Sequence, residues 1–497
     1  MVKTDDTDES LEITRITSSC FHFFSTLQSA STVEFPMSAD SDACVARFTS
    51  DVEINQLGKP LVPCVITVKG KTYDLTNWAN SHPGGPIIHI YHNHDCTNVF
   101  DAFHGAGAYK LLDQFPSKEA KLATLKDDSD CVKPYNGNKP VCPKTILKDF
   151  DEFRKELEKD GLFNSSLVWF PFKFLTTVAF LPLAYVLNMY GYYTLSAFFL
   201  GVMWQQLGWV SHELLHHSVF DNRALGRGLG WVSGPVLLGF SRFWWNERHN
   251  AHHAATNITG ADPDIDNLPF LAWSRYDVDR APANMRTYMQ YQQYYFWAIL
   301  PFLNVIWALN SVNFVKDIMT SSPYKAYKSH MRNEAIGLAL HYTWLSCFLW
   351  FTLPSVWVIA WYIFVSKMVG GAFLAFVVFF NHYSCPKIDF GSDAGENFVI
   401  MQLISTRNLT PGVFTDWFCG GLNYQVEHHL FPTMPRQNLN ACSHRLKKFC
   451  ADHNLPYLCS DFGEGLGFVK EYLTNAATYA TSLVNAEVKA SGSKKSN

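Results

Sequence analysis

Histidines recur in this sequence at spacings that suit metal binding. In each of three clusters the side chains are about one helical turn apart, so on a helix they would project from the same face. The clusters are His212, His216 and His217 in HELLHH, His249, His252 and His253 in HNAHH, and Gln425, His428 and His429 in QVEHH. Histidine without cysteine at such spacing indicates an imidazole-ligated first-row metal rather than structural zinc. Eight histidines and one glutamine exceed the needs of one ion, so the sequence predicts two ions.

A second pair of histidines, His82 and His104, lies far upstream. His82 begins HPGG after a β-rich run and His104 stands in DAFHGAG, so each has glycines nearby that let a flat ligand approach closely. The residues between them favour short helices, which predicts a small helical hairpin with one imidazole at each end. Two such imidazoles are what a six-coordinate haem iron needs, and the alternative is a surface loop with two ordinary histidines. The intervening His89, His92 and His94 are interpreted as surface or structural residues.

Composition excludes some classes of protein. The chain has 497 residues, a formal net charge of -4 and 17% charged residues. It has no excess of basic residues, so its charge does not indicate nucleic acid as a partner. Aromatic residues reach 15%, a composition that favours a membrane protein. The mean hydropathy of the whole chain is nevertheless near zero, which indicates that the apolar segments alternate with polar ones. Twelve scattered cysteines without a CxxC pair are interpreted as reduced thiols, with neither a disulfide framework nor a thiolate zinc site.

Five segments follow one another along the chain. Residues 1–45 are predicted to form a disordered polar extension that lacks the features of a signal peptide. Residues 46–126 form a small α+β module, and residues 127–164 a charged linker that ends in a short, solvated helix. An all-α membrane domain occupies residues 165–455, and residues 456–497 form a polar C-terminal tail.

Four segments of the membrane domain reach the ~20 apolar residues that a membrane-crossing helix needs. They are residues 168–187, 192–210, 335–353 and 356–380. The first two segments are joined by a short, uncharged turn, and so are the last two, whereas arginines follow the second segment. By the positive-inside rule the two short turns are lumenal. Both termini, the small module and all histidine clusters are therefore predicted to lie on the cytosolic side. Residues 230–245 and 294–310 are apolar but interrupted by proline, and are predicted to be helices that lie in the membrane interface.

Longer motifs around the histidines resemble two known families. HPGG, the second histidine in DAFHGAG and the preceding YDLTNW resemble a cytochrome b5 domain, which implies that His82 and His104 are the axial ligands of a haem b. The order of the three clusters, with WNERHNAHHAATN, DPDIDNLP and GGLNYQVEHHLFPTMPR, resembles the membrane fatty acid desaturases. A fused N-terminal b5 module and a glutamine at the start of the third cluster are together typical of the front-end branch. The resemblance covers roughly residues 45–455.

The resemblance implies a set of iron ligands for two non-haem iron ions. These are His212, His216, His217, His249, His252, His253, His428 and His429. His382, alone in FFNHYS at the cytosolic end of the last predicted span, matches an isolated histidine that the family places near the metals. Gln425 is either a weak ligand or a residue that contacts a ligand. His341 is interpreted as a core or lumenal residue. The first cluster begins His-Glu where members of the family usually have His-Asp. The hydrogen-bond partner of the Glu213 carboxylate is therefore not predicted.

The implied reaction is O2-dependent removal of two hydrogens from a polyunsaturated acyl chain, carried as a CoA thioester or a phospholipid. A new cis double bond would form between an existing double bond and the carboxyl end. An unactivated methylene has no acidic proton, so the cofactor metals must supply the chemistry. Electrons would come one at a time from an NADH-cytochrome b5 reductase through the b5 haem, and the fusion raises the donor's effective concentration.

The position of the new double bond is expected to be Δ6, with Δ5 as the alternative. A sphingolipid Δ8 desaturase or a lipid hydroxylase would share the same metal chemistry. A membrane-tethered b5 electron carrier without catalysis is the alternative from another class, and the intact histidine clusters argue against it. Lys494 and Lys495 resemble a dilysine retrieval signal, which favours the endoplasmic reticulum membrane.

Overall fold

The computed structural model describes two parts of the chain, interrupted at the predicted linker. The described residues are 53–54, 60–61, 63–120 and 143–494, apart from positions 269, 321–324, 390, 391, 393, 394 and 396. The predicted N-terminal extension, the first part of the linker (residues 127–142) and Lys495 lie outside these residues.

The first part is the small α+β module. Strand β1 (Glu53–Ile54) pairs with β2 (Pro60–Leu61), and an antiparallel sheet follows in the order β3 (Val65–Val68), β4 (Lys71–Asp74) and β5 (Ser117–Glu119). Strands β3 and β4 alternate buried and more exposed side chains, as expected for a sheet with one covered face.

Short helices fill the interval between β4 and β5. Two 3-10 helices, Ala79–Ser81 and Gly85–Tyr91, precede α1 (Thr97–Phe103) and α2 (Ala106–Leu112). His82 follows the first 3-10 helix and His104 follows α1, which confirms the predicted helical hairpin with a histidine at each end.

Helix α3 (Pro143–Lys159) joins the module to the second part. It carries a buried apolar stripe on one face and charged pairs on the other face. The stripe is Ile146, Phe150, Phe153 and Leu157. The predicted solvated helix is therefore exposed on one face only, because its aromatic residues pack into the core of the protein.

The second part is built mainly from helices. Up to the last membrane helix these are α4 (Trp169–Val178), α5 (Phe180–Met189), α6 (Tyr193–Leu215), α7 (Arg223–Trp231), α8 (Arg242–Ala254), α9 (Arg275–Arg280), α10 (Ala283–Met289), α11 (Gln292–Ile299), α12 (Leu303–Thr320), α13 (Lys325–Thr352) and α14 (Val356–His382). A π-helical turn, Val232–Leu238, follows α7 and leads to α8. A 3-10 turn, Leu300–Phe302, connects α11 to α12. After α14 come α15 (Phe398–Ser405), β6 (Asn408–Leu409), α16 (Val413–Phe418), α17 (Gln425–Leu430), α18 (Arg436–Asp452), β7 (Cys459–Ser460) and α19 (Phe462–Lys494).

Four helices of the described chain are long and apolar enough to cross a membrane. They are Trp169–Met189, Gln292–Thr320, Lys328–Thr352 and Val356–His382. Three of them coincide with predicted spans. Gln292–Thr320 contains residues 294–310, for which an interfacial position was predicted, and its length and composition also permit a crossing.

Helix α6 corresponds to the remaining predicted span and packs lengthwise against α5 and α14. Its 23 residues are about 34 Å long, which is enough to cross a membrane. It is not one of the four helices named above, and it carries buried polar side chains. Gln205, for example, is fully buried and donates a hydrogen bond of 2.5 Å to the carbonyl of Phe418. The polar residues of α6 thus face protein rather than lipid.

The predicted C-terminal tail contains the longest helix of the described chain, α19, with 33 residues. Val469, Leu473 and Ala480 are fully buried on it, and Gln292 donates a hydrogen bond of 3.0 Å to the carbonyl of Leu473. Sequence reasoning missed this helix because alanine and glycine dominate its packed face and give a weak apolar pattern.

Candidate metal centre and haem site

Four helices deliver the histidines to one place. His212 lies in the last turn of α6 and His216 caps its end, while α8 carries its three histidines on its final turns. His382 is the last residue of α14, and the short helix α17 carries Gln425, His428 and His429. The cytosolic ends predicted for the membrane segments therefore meet at a single buried centre.

A glycine pair directs the chain into α17. Gly420 and Gly421 have φ angles of 59° and 87°, in the left-handed region that favours glycine. A Cβ atom at Gly420 would lie 2.3 Å from the ring of Trp209 on α6, so the backbone passes directly over that indole. Trp209 in turn donates a hydrogen bond of 3.0 Å from its ring nitrogen to the carbonyl of Phe418. This crossing places the QVEHH sequence against the end of α6.

Five histidines form the first metal-binding cluster. They are His212, His216, His249, His253 and His428, with one nitrogen from each lying within 4.8 Å of the others. The Nε2 atom of His249 is 3.0 Å from Nε2 of His212 and 3.0 Å from Nε2 of His253. The buried Nε2 atoms of His216 and His428 have no hydrogen-bond partner in the described protein. Such converging nitrogen atoms fit a metal ion.

Three histidines form the second cluster, His252, His382 and His429. The Nε2 atoms of His252 and His382 are 3.2 Å apart. The amide of Gln425 lies between two members, with Nε2 at 2.9 Å from His382 Nε2 and 3.1 Å from His429 Nε2. The second cluster therefore offers three imidazoles and one amide to a second ion.

Hydrogen bonds behind the rings orient the second cluster. The Nδ1 atom of His252 is 2.8 Å from the Asp262 carboxylate, and Nδ1 of His429 is 3.0 Å from Oε1 of Gln402. His382 points its Nδ1 atom toward a backbone carbonyl at 3.2 Å. Because each ring donates outward through Nδ1, its Nε2 lone pair faces the centre, as in proteins that bind metals through imidazole.

Burial keeps most of these imidazoles in the neutral form that binds metal. It holds the pKa of His253, His428 and His429 well below the ordinary value, because a charged ring would lose its hydration inside the protein. Burial also acts to lower the pKa of His252, but the nearby Asp262 carboxylate raises it, and that pKa lies above its ordinary value. Neutral imidazole is the ligand form, so burial favours metal binding by His253, His428 and His429.

The structure does not bring His217 into either cluster. Helix α6 ends before it, and its φ angle of 58° turns the chain away from the helix axis. Burial, together with the charges of Arg223 and Arg227, lowers the pKa of His217 to about 4. Its expected role as a ligand therefore has no geometric support.

The two glutamates within the histidine motifs have structural partners. Glu213 forms a buried ion pair of 3.0 Å with Arg436 at the start of α18, which supplies the partner that the His-Glu sequence left open. Glu427 accepts hydrogen bonds of 2.7 Å from Tyr457 and 2.8 Å from Asn408. Both carboxylates thus hold helices together beside the metal centre.

Sequence reasoning did not assign roles to Asp262 and Gln402. Asp262 belongs to DPDIDNLP, an acidic motif close after the second histidine cluster, and that proximity could have suggested a partner for a ring nitrogen. Gln402 lies on α15 in an apolar stretch that carries no comparable signal. Its side chain also donates a hydrogen bond of 2.7 Å to the carbonyl of His253.

A cavity of about 80 Å³ adjoins both clusters. Its walls are mostly apolar and come from α6, α8, α14 and the π-helical turn, with Gly208, Trp245 and Leu374 among the lining residues. His249 and His252 reach its wall, so a chain lying in the cavity would contact ligands of both clusters. A mostly apolar cavity beside a metal centre suits an acyl chain better than a polar substrate.

His82 and His104 face each other in the first module. Their ring centroids are 6.1 Å apart, a gap that suits one iron with two axial imidazoles, given metal–nitrogen bonds of about 2 Å. Each ring directs Nδ1 to a backbone carbonyl, Gly85 at 3.2 Å for His82 and Phe100 at 3.1 Å for His104. A Cβ atom at Gly84 would lie 2.7 Å from the His82 ring, which explains a glycine there. The pair fits a haem.

The other histidines of this module have structural contacts. His92 accepts a hydrogen bond of 3.0 Å from the backbone of Val65, and Nδ1 of the buried His89 lies 3.3 Å from the carbonyl of Pro63. In the second part, His341 is buried with Nδ1 at 3.2 Å from the carbonyl of Val236.

Comparison with known proteins agrees with this geometry. Residues 189–460 match the family described as Fatty acid desaturase, and residues 50–121 match the Cytochrome b5-like Heme/Steroid binding domain. The first implies a di-iron centre at the histidine clusters, and the second implies haem.

Three relatives align over most of their own length. A Delta(8)-fatty-acid desaturase of Euglena gracilis is 41% identical, over 82% of this chain and 94% of its own. A Delta(6)-fatty-acid desaturase and a Delta(5) fatty acid desaturase of Caenorhabditis elegans are 38% and 37% identical, over 80% and 85% of this chain and 92% and 97% of their own. The chain belongs to the fatty acid desaturase family and is a front-end member, a membrane enzyme with a cytochrome b5 domain fused to its N-terminal side.

Proposed function

We propose that this front-end desaturase forms its new double bond at Δ6, converting linoleic acid to γ-linolenic acid and α-linolenic acid to stearidonic acid. The observation that supports an acyl substrate is the apolar cavity whose wall includes His249 and His252. One of these residues belongs to each metal-binding cluster, so the acyl chain would pass beside both. The motifs QVEHH and DPDIDNLP resemble those of Δ6 and Δ5 front-end desaturases and favour a fatty acyl substrate.

The side chains of the centre have separable tasks in this reaction. The first cluster would hold one iron ion, and the second cluster with Gln425 would hold the other. When bound, the ions supply the O2 chemistry that removes hydrogen from unactivated methylenes. Apolar cavity residues such as Trp245 and Leu374 exclude water and orient the chain. Asp262 and Gln402 keep the rings turned toward the centre.

Electron supply completes the proposal. The reaction consumes O2 and two electrons per double bond, delivered singly by the b5 haem after reduction by an NADH-cytochrome b5 reductase. Support comes from the haem-ligand pair His82 and His104, which belongs to the same folded body as the metal centre. The acyl carrier would be CoA or a phospholipid.

We place the protein in the endoplasmic reticulum membrane with both termini in the cytosol. The histidine-bearing ends of α6 and α14 meet on one side of the membrane helices, and that side also holds the b5 domain. Arginines near this side, including Arg223 and Arg227, satisfy the positive-inside rule. Lys494 and Lys495 resemble a retrieval signal of that compartment.

A second candidate is desaturation at Δ8, because the relative at 41% identity carries that name. A third is Δ5, the name of a relative at 37% identity. Expression in yeast with single fatty acids, followed by gas chromatography, separates them. γ-Linolenic acid from linoleic acid supports Δ6, and arachidonic acid from dihomo-γ-linolenic acid supports Δ5.

Dihomo-γ-linolenic acid formed from eicosadienoic acid supports Δ8. Altered long-chain bases without any new fatty acid would favour a sphingolipid desaturase or hydroxylase, and would overturn the proposal. The matched control is His428→Ala, which removes one imidazole of the first cluster and should abolish every product.

A further inference from the structure

One aromatic residue, Phe103, is the neighbour of a haem ligand in the chain and contacts a histidine of the metal centre. Phe103 is the last residue of α1, and the haem ligand His104 follows it directly in the chain. The Phe103 ring lies edge-on to the ring of His253, with centroids 6.2 Å apart and an interplanar angle of 85°. Phe103 is thus covalently next to one redox site and in ring contact with a ligand of the other.

The domains are docked around this contact. Tyr91, on the second 3-10 helix of the b5 domain, donates a hydrogen bond of 2.6 Å to the carbonyl of Ala254, the residue after His253. Helix α1 packs against α15, and from α15 the Gln402 side chain donates to the carbonyl of His253. The backbone of His253 is therefore held from both sides, which keeps its ring in place against Phe103.

His253 has a central position in the metal centre. It belongs to the first cluster, and its ring stacks on that of His429 in the second cluster, with centroids 4.0 Å apart and an interplanar angle of 14°. A path that reaches His253 therefore reaches both metal sites with one further contact.

We propose that Phe103 is the positioning residue through which electrons leave the b5 domain, with His253 as the point of entry to the di-iron centre. This rests on the proposed electron supply. In each transfer one electron passes from haem to non-haem iron: the haem iron goes from the ferrous to the ferric state, and the receiving ion from ferric to ferrous. Two transfers supply one double bond. The phenyl ring brings protein atoms of the haem-ligand segment into contact with the His253 ring, and a shorter aliphatic side chain would leave these two segments farther apart.

The test is stopped-flow absorbance of the haem in the full-length, haem- and iron-loaded enzyme. The enzyme is reduced without O2 and then mixed with O2 and acyl substrate. Phe103→Leu is expected to slow haem oxidation at least several-fold, while haem reduction by the reductase and the haem midpoint potential stay unchanged. Phe103→Tyr, which keeps the ring, should restore the wild-type rate. A structural defect would change the spectrum or the potential as well.

Phe115→Leu is the matched control, since Phe115 makes its ring contact with Trp78 inside the b5 domain. It should leave haem oxidation unchanged. Equal rates for Phe103→Leu and the wild type would overturn the inference. If Phe103→Leu loses haem, Phe103→Met provides the same test with a side chain of closer volume. A wild-type enzyme whose haem is not oxidised on mixing would instead contradict the proposed internal electron supply.

Discussion

The amide nitrogen of Gln425 lies 2.9 Å from Nε2 of His382, two buried groups carried by helices α17 and α14. The other amide atom of Gln425, Oε1, is buried without a hydrogen-bond partner in the described protein. Oxygen and nitrogen of a glutamine amide exchange places by a simple flip. After that flip, Oε1 would face the centre of the second cluster as a fourth donor, weaker than imidazole.

Replacement of Gln425 is therefore expected to weaken the second metal site selectively. Gln425→Ala should lower iron affinity or activity by roughly 10–100-fold. Gln425→His should retain iron, since it supplies a stronger ligand. The measurement is non-haem iron per haem in purified enzyme, together with product formation. Gln290→Ala, at a partly exposed glutamine that belongs to neither cluster, is the control. Full iron content and turnover in Gln425→Ala would show that the amide is not a ligand.

His216 and His217 are adjacent in the chain and should respond differently to substitution. His216 points a buried, unpartnered Nε2 atom into the first cluster, whereas His217 lies outside both clusters. His216→Ala should lose non-haem iron and activity, and His217→Ala should keep both close to wild type. The same iron-to-haem ratio and product assay check this. Iron loss in His217→Ala would return that residue to the ligand set.

Gly208 leaves space for the acyl chain. It lines the cavity, and a Cβ atom there would meet only Leu374 Cδ2 at 3.6 Å, so alanine fits while a larger side chain would enter the cavity. Gly208→Phe is expected to abolish turnover of long acyl chains with iron and haem content unchanged, because substrate can no longer reach the centre.

Gly208→Ala should keep much of the activity, and product assays on both variants measure the difference. Gly228→Phe is the control, at an exposed glycine with open space around it. Normal activity in Gly208→Phe would mean that the acyl chain takes another route.

The ion pair between Glu213 and Arg436 should contribute strongly to stability. Its side chains are 5% and 11% exposed, and Arg436 also lies over the ring of Trp169. Glu213→Gln would leave a buried guanidinium without its counter-charge, at a cost of about 3–5 kcal/mol. Glu213→Asp keeps the charge and should be less harmful.

Thermal unfolding of the solubilised enzyme, followed by haem absorbance, measures the stability of the wild type, Glu213→Asp and Glu213→Gln, which is expected to fall in that order. Asp160→Asn is the control, since it breaks an exposed pair with Arg445 worth at most about 1 kcal/mol. An equal loss of stability in Glu213→Gln and Asp160→Asn would contradict the expectation.

Helical spacing predicts most of the histidines that converge in the structure, but not their division into two clusters. His249 and His253 lie four residues apart on α8 and enter the first cluster, whereas the intervening His252 enters the second. The split depends on the angles at which α6, α14 and α17 meet α8, which are set by packing. His428 and His429 separate in the same way. No local pattern carries that information, and HELLHH does not reveal the left-handed turn after α6 that places His217 outside both clusters.

The fold was predictable where apolar patterns are strong. Helix α14 and the strands β3 and β4 follow the expected pattern closely, whereas α19 combines small residues with charges and was missed. Helix α6 was predicted as a membrane span, but the partners of its polar residues were not predicted. Gln205 lowers its hydropathy, yet the side chain is buried against a backbone carbonyl, a partner that only the folded chain supplies.

Residues of the b5 domain, α3 and the histidine-bearing helices share one continuous apolar core, which includes Ile66, Phe150, Ala254 and Val426. Stacking of Phe150 on Phe431, with centroids 5.3 Å apart, lies at the middle of this shared packing. The two domains are consequently expected to form one cooperative unit. The b5 domain is not an electron carrier attached only by a flexible linker. Heating should release haem and dismantle the metal centre in a single transition, and lengthening the connecting segment should change the rate of turnover little, because diffusion of the donor has no part in each cycle.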